Sequence, residues 1–206
     1  MLSRLRAMVS VLAVAAAVGL AGPVQAATTS PSDVVARLND TVLSVMQDAK
    51  PLGFQGRFDR LAPELLGAFN FHVMASIAVG KYWTGLDTAQ RRRLIDVFGR
   101  TSIATYAERF DGYGGEHFEV VEETQGPRDS VLVRNKLIKT DGDSVEINYL
   151  LREYDGRWRV VDVFLDAKYS EMALKRSEYT SVISNQGFDT LIQSLEDKLE
   201  QMSERQ

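Results

Sequence analysis

Few residues in this sequence have the types and spacing that chemistry requires. There are two histidines and no cysteine. His72 sits in an apolar helical stretch, FHVMASIAV, where it reads as a core or boundary residue. His117 opens a strand beside glycines. Neither has an acid or a second histidine at a metal-ligand spacing such as HExxH. There is no GxSxG elbow and no glycine loop leading into Lys-Ser/Thr. Gly112, Gly114 and Gly115 follow a helix instead of preceding one, so they mark a turn and not an anion cradle. Arg91, Arg92 and Arg93 form the only cationic cluster, and three successive helical residues spread around the axis. One carboxylate stands out. If its strand is regular, Asp162 shares a face with Trp158 and Val160, aimed at an apolar interior. Burial would raise its pKa and fit it to act as a general base. A bulge, or hydrogen bonds from backbone N–H groups, would instead make it structural. The enzymatic alternative is a small isomerase or hydratase with Asp162 as base. No second acid or tyrosine dyad can be assigned beside it, so no catalytic residues, metal or cofactor are expected.

Composition narrows the class. The chain has 206 residues and a formal charge of −4. Arg4 and Arg6 precede a nearly unbroken apolar run from Ala7 to Leu20, and Val24-Gln25-Ala26 is a small-x-small cleavage site. We expect a signal peptide over residues 1–26, cut after Ala26. The run is short for a membrane span, which disfavours an uncleaved anchor. The remainder, residues 27–206, is expected to form one domain. Loss of the two arginines takes its charge to −6, a poor match for nucleic acid. Without cysteine, an exported protein must be held by its core.

The elements that would position a site follow from periodicity. Ser30-Pro31 opens a helix with apolar residues at Val34, Val35, Leu38, Val42, Val45 and Met46. A second helix is expected from about Phe54 to Phe69, disturbed at Pro63, and Asn70 caps a third. The longest helical pattern starts at Thr88, with Asp87 and Gln90 at capping-box spacing. Its apolar residues, Leu94, Ile95, Phe98, Ile103, Tyr106 and Phe110, fall mostly on one stripe. Four alternating strands follow, about His117–Thr124, Ser130–Lys139, Ser144–Tyr154 and Arg157–Leu165. The short turns GPRD, TDGD and DG make them antiparallel. One face collects Phe118, Val120, Val131, Val133, Leu137, Val145, Ile147, Tyr149, Leu151, Trp158 and Val160, and the other is charged. Two helices close the chain, divided at Gln186-Gly187. The expected class is α+β, a four-stranded antiparallel meander with helices on one face. Such an arrangement resembles NTF2-like or cystatin-like folds, which often enclose an apolar pocket.

Four segments carry a family resemblance: GKYWTGLDTAQRRRLIDVF, ATYAERFDGYGGEHFEV, RWRVVDVFLDAKYS and RSEYTSVISNQGFDTLIQSLEDKLEQ. Together, and in this order, they resemble the MlaC family of periplasmic lipid carriers, also described as toluene-tolerance auxiliary transport components. ATYAERFDGYGGEHFEV and LDAKYS are closest to its hopanoid-associated branch, HpnM. The resemblance implies a soluble shuttle without catalysis that moves a phospholipid or hopanoid between inner and outer membranes. It implies a pocket between sheet and helices for acyl chains or a polycyclic isoprenoid, with the head group near the mouth. The implied partners are an inner-membrane MCE-type ABC complex or an RND-type exporter, and an outer-membrane lipoprotein complex. We expect the long helix to line one wall with Phe98, Ile103, Tyr106 and Phe110. The sheet would line the other with Phe118, Val133, Ile147, Tyr149, Leu151, Trp158 and Val160. The competing expectations are a solid core made by those same residues and an adaptor with a filled interior.

Overall fold

The computed structural model describes residues 29–166 and 168–204. The expected leader and its cut after Ala26 lie outside the described residues. Among them are six α-helices and a five-stranded antiparallel sheet in the order β1-β2-β3-β4-β5.

Helix α1 (Pro31–Gln47) starts where its residues dictate. Ser30 accepts from the Asp33 N–H, the Asp33 carboxylate accepts from the Ser30 N–H, and Pro31 takes the first helical position. Its apolar stripe from Val34 to Met46 is buried. Helix α2 (Ala49–Ala68) is broken at Gly53, where φ is +58°, so its regular part begins near Phe54. Helix α3 (Phe71–Val79) is capped by Asn70, which accepts from the Val73 N–H. A 3₁₀ segment, Gly80–Gly85, leads into α4 (Thr88–Arg109), whose Asp87–Gln90 capping box is complete.

The strands are β1 (His117–Gln125), β2 (Ser130–Ile138), β3 (Ser144–Tyr154), β4 (Arg157–Leu165) and β5 (Tyr169–Ser170). The expectation of four strands is corrected to five. The chain reverses after β4, with Asp166 at φ +50°, and lays Tyr169 and Ser170 against Leu165 and Phe164. Two residues are too few to show alternation, so the sequence carries no strand signal there. Helices α5 (Glu171–Gln186) and α6 (Phe188–Glu204) complete the chain.

The outer face of the sheet is charged. Arg134 bridges Glu122 at 2.8 Å and Glu146 at 3.7 Å, and Lys136 lies 3.8 Å from Glu146. These half-exposed pairs set register more than stability. On the inner face α1 packs directly against β1, β2 and β4, and α5 against β4. Helix α4 differs from the expected one-sided helix laid on the sheet. It packs chiefly on α2, α3 and α6, so Val97, Thr101, Ala104 and Ala107 are buried together with Phe98 and Ile103. The cause is α6, which covers a second side that the sequence pattern leaves looking mixed. Side chains span the distance from α4 to the sheet: Tyr106 reaches Tyr149, and Phe110 meets Phe118 with ring centroids 6.3 Å apart.

Two polar features lock this frame. Asn39 on α1 and Asn135 on β2 exchange side-chain hydrogen bonds of 2.8 and 3.3 Å, while Asn148 on β3 accepts from the Asn135 N–H at 3.0 Å. Arg57 on α2 is buried, donating to the Ala107 carbonyl at 2.8 Å and the Ala49 carbonyl at 3.2 Å. Its charge therefore sits against the C-terminal turn of α4, where the helix dipole favours a cation.

Candidate functional site

Where α4 stands off the sheet, a cavity of about 290 Å³ opens between them. That is near the lower end of the roughly 300–1,000 Å³ usual for small-molecule sites. Leu137, Val145, Ile147, Val163 and Leu165 form the sheet wall, and Phe69, Met74, Tyr106, Phe110 and Met172 the helix wall. Ser102, Thr105, Arg109, Asp166, Glu171 and Lys175 supply its polar part. The hydroxyls of Ser102 and Thr105 donate to the carbonyls of Phe98 and Thr101 at 2.8 Å each, so they need no outside acceptor. The hydroxyls of Tyr106 and Tyr149 lie 3.3 Å apart. Burial pushes the Tyr106 pKa up to about 12 and holds Tyr149 well above its usual value. Both hydroxyls are thus held in the neutral form, and each serves as the other's hydrogen-bond partner.

The residues that sequence reasoning assigned to a pocket take different places. Tyr106, Phe110 and Ile147 line the cavity. Tyr149 lies buried behind Tyr106, and Phe118 packs on Phe110. Phe98, Ile103, Val133, Leu151 and Val160 are buried in the continuous core, and Trp158 packs partly buried against it at the far end of β4. Sequence reasoning did not name Val163 and Leu165. The reason is a bulge: Leu151 pairs with Val160 but Leu150 pairs with Asp162, leaving Val161 as an extra residue. Past the bulge the parity of β4 reverses, so Val163 and Leu165 face inward. The tandem Val160-Val161 followed by alternation at Val163 and Leu165 was the available signal. Helix α5 was missed as a wall because its apolar residues are sparse.

The same bulge settles where Asp162 points. It pairs with Leu150 on the opposite face from Val160 and is not among the cavity residues. Its carboxylate accepts from the Val163 N–H at 2.8 Å, the Ser170 hydroxyl at 2.6 Å and the Met172 N–H at 3.1 Å. Ser170 in turn caps α5 by accepting from the Ala173 N–H. Asp162 thus anchors the start of the helix that closes the cavity. Burial raises its pKa, against the lowering by its three donors. Asp162→Ala should cost about 1–3 kcal/mol by orphaning those donors, measured by chemical denaturation. A raised folded-state pKa means that the protonated form is the one favoured by folding. This group's contribution is therefore full below the ordinary aspartate pKa and declines as pH rises through the elevated value. Asp162→Asn should flatten that part of the stability–pH curve, and an unchanged curve would show that the carboxyl does not titrate there.

Among the described residues no group of His, Asp and Glu is placed to hold a metal ion. Nor, among them, is any helix long and apolar enough to cross a membrane. Fold and site together define a small α+β protein built round an apolar chamber with a charged rim. The chain belongs to the MlaC family, whose model matches residues 36–197. Its fold is similar to that of a phospholipid-binding protein from Ralstonia solanacearum, solved in complex with a phospholipid. The TM-score is 0.72 at 21% identity, covering 82% of this chain and 97% of that one. At that identity the likeness speaks for the fold. No curated protein sequence matches the chain.

Proposed function

We propose that this protein is a periplasmic lipid carrier whose cavity takes the acyl chains of a lipid in transit between the two membranes. The observation that carries this reading is the apolar chamber between α4, α5 and the sheet in a member of the MlaC family. The phospholipid held by the Ralstonia solanacearum protein of similar fold supports it. A lipid tail cannot cross water unaccompanied. Each buried methylene contributes roughly 0.8 kcal/mol, so about a dozen would give on the order of 10 kcal/mol gross. No catalytic group is needed for this task, and the engagement of Asp162 with three donors argues against the isomerase alternative. A chamber of about 290 Å³ also argues against an adaptor with a filled interior.

The cavity is small for two full tails, so loading would part α4 and α5 from the sheet. A cone-shaped chamber of the NTF2-like or cystatin-like kind would accommodate that opening. Delivery and collection fall to membrane-bound partners, an inner-membrane MCE-type ABC complex or RND-type exporter and an outer-membrane lipoprotein complex. Residues 1–26 would direct export and be removed after Ala26. Likeness to the hopanoid-associated branch makes a polycyclic isoprenoid the rival cargo. The test is organic extraction of mature protein, purified without delipidating detergent, followed by mass spectrometry. We expect lipid near one equivalent per chain, and its absence would overturn the reading.

A further inference from the structure

Two cations and two carboxylates, Arg109, Lys175, Asp166 and Glu171, share the cavity wall, yet among the described residues neither cation makes an ion pair. Lys175 lies on the second turn of α5, facing the chamber. Glu171 stands one turn before it and Glu178 three residues after, yet among the described residues no carboxylate lies within ion-pair distance of its ammonium. The group instead rests 5.9 Å from the Phe98 ring centroid and 5.8 Å from that of Tyr179. Ring faces compensate a half-buried cation only in part. Burial pulls the Lys175 pKa below its ordinary value, and the neighbouring Lys198 and Arg109 act in the same direction, partly opposed by Glu171 and Glu178. Arg109, the last residue of α4, lies in the same wall and is likewise unpaired among the described residues. A half-buried ammonium at the edge of an apolar chamber is costly unless an anion completes it, and the exposed Arg109 guanidinium stands in the same wall, open to the same anion. The guanidinium fork suits phosphate oxygens, and the ammonium adds a point charge.

We propose that Lys175 and Arg109 form an anion-recognition site which takes the phosphate of the cargo's head group while the tails fill the chamber. The proposal rests on the lipid-carrier reading and adds selectivity to it. Tails alone would not distinguish a phospholipid from an uncharged lipid of equal chain length. These two cations would, because an uncharged head group leaves them unpaired.

The experiment uses delipidated mature protein and vesicles of phosphatidylglycerol containing a minor share of diacylglycerol with the same chains. Protein is separated from vesicles, extracted, and its lipids quantified by mass spectrometry relative to vesicle composition. The wild type should favour phosphatidylglycerol by about tenfold or more, the yield of one charge-assisted contact near 1.4 kcal/mol. Lys175→Gln should bring that preference close to the vesicle ratio. Lys175→Arg, which keeps the charge, should retain it. Arg109→Gln should lower it too, and serves as the deciding variant should Lys175→Gln not fold. Excess inorganic phosphate should not displace lipid, because it brings no tails, and displacement would reassign the site to free anions. Equal uptake of both lipids by the wild type, or a preference untouched by either neutral variant, would overturn this inference while leaving the carrier reading standing. Uptake of neither lipid would overturn both.

Discussion

Ile147→Trp is expected to strip the protein of most of its bound lipid while leaving the delipidated fold nearly as stable as the wild type. Ile147 sits on β3 in the cavity wall, so an indole there projects into space that the cargo's tails would fill. Val133→Trp makes the contrast. Val133 is fully buried in the continuous core, opposite Tyr149 on β3. Added bulk there has no chamber to enter and should cost roughly 1–3 kcal/mol or more. For a domain of this size that lowers the melting temperature by roughly 2–12 °C. The pair is read by calorimetry of delipidated protein beside mass spectrometry of copurified lipid. Large destabilisation by Ile147→Trp with lipid content unchanged would mean that the chamber is not where the tails lie.

Phe69→Ala should give the largest loss of stability of any single truncation near the site, about 3–5 kcal/mol. Phe69 ends α2, and the chain there is pinned by the Asn70 N–H donating to the Val160 carbonyl at 2.9 Å. Its ring stacks on Phe71 at 5.5 Å and meets the Tyr106 and Tyr149 rings edge-on at 6.0 and 6.4 Å. Three aromatic neighbours add pair energy beyond the area buried. Phe69 also separates two spaces, because it lines both the apolar chamber and an open cleft edged by Arg157 and Arg159. Its removal should join them. The expected results are a melting temperature lower by roughly 6–20 °C and a shift of retained lipid toward longer tails. Stability within about 1 kcal/mol of the wild type would show that the ring is not the keystone its contacts suggest.

Much of this was legible because its physics is local. The helix start at Ser30-Pro31, the Asp87 capping box, the Asn70 cap and the hairpin turns each depend on residues a few positions apart, and the structure reproduces them, whereas the disturbance expected at Pro63 falls instead at Gly53. Alternation identified the long strands and their apolar face for the same reason: side-chain direction along a regular strand is fixed by its neighbours.

The chamber could not be read that way. An apolar residue that touches its neighbours and one that faces an empty space carry the same signal, so Phe98, Val133 and Leu151 were grouped with Tyr106 and Ile147. Only the packing of α6 and α2 on α4 decided that the helix stands away from the sheet. One extra residue, Val161, turned Asp162 off the inner face and brought Val163 and Leu165 onto it. The cations were equally hidden. Lys175 has carboxylates at helical spacing before and after it, and a sequence reading would pair it with one of them. The fold laid its ammonium over Phe98 and Tyr179 instead. Sequence determined the longer elements and the family, because those follow from local chemistry and from residue order, while the two-residue β5 did not show. Tertiary structure decided which apolar side chains meet one another and which face a space, because that depends on distances between segments far apart in the chain.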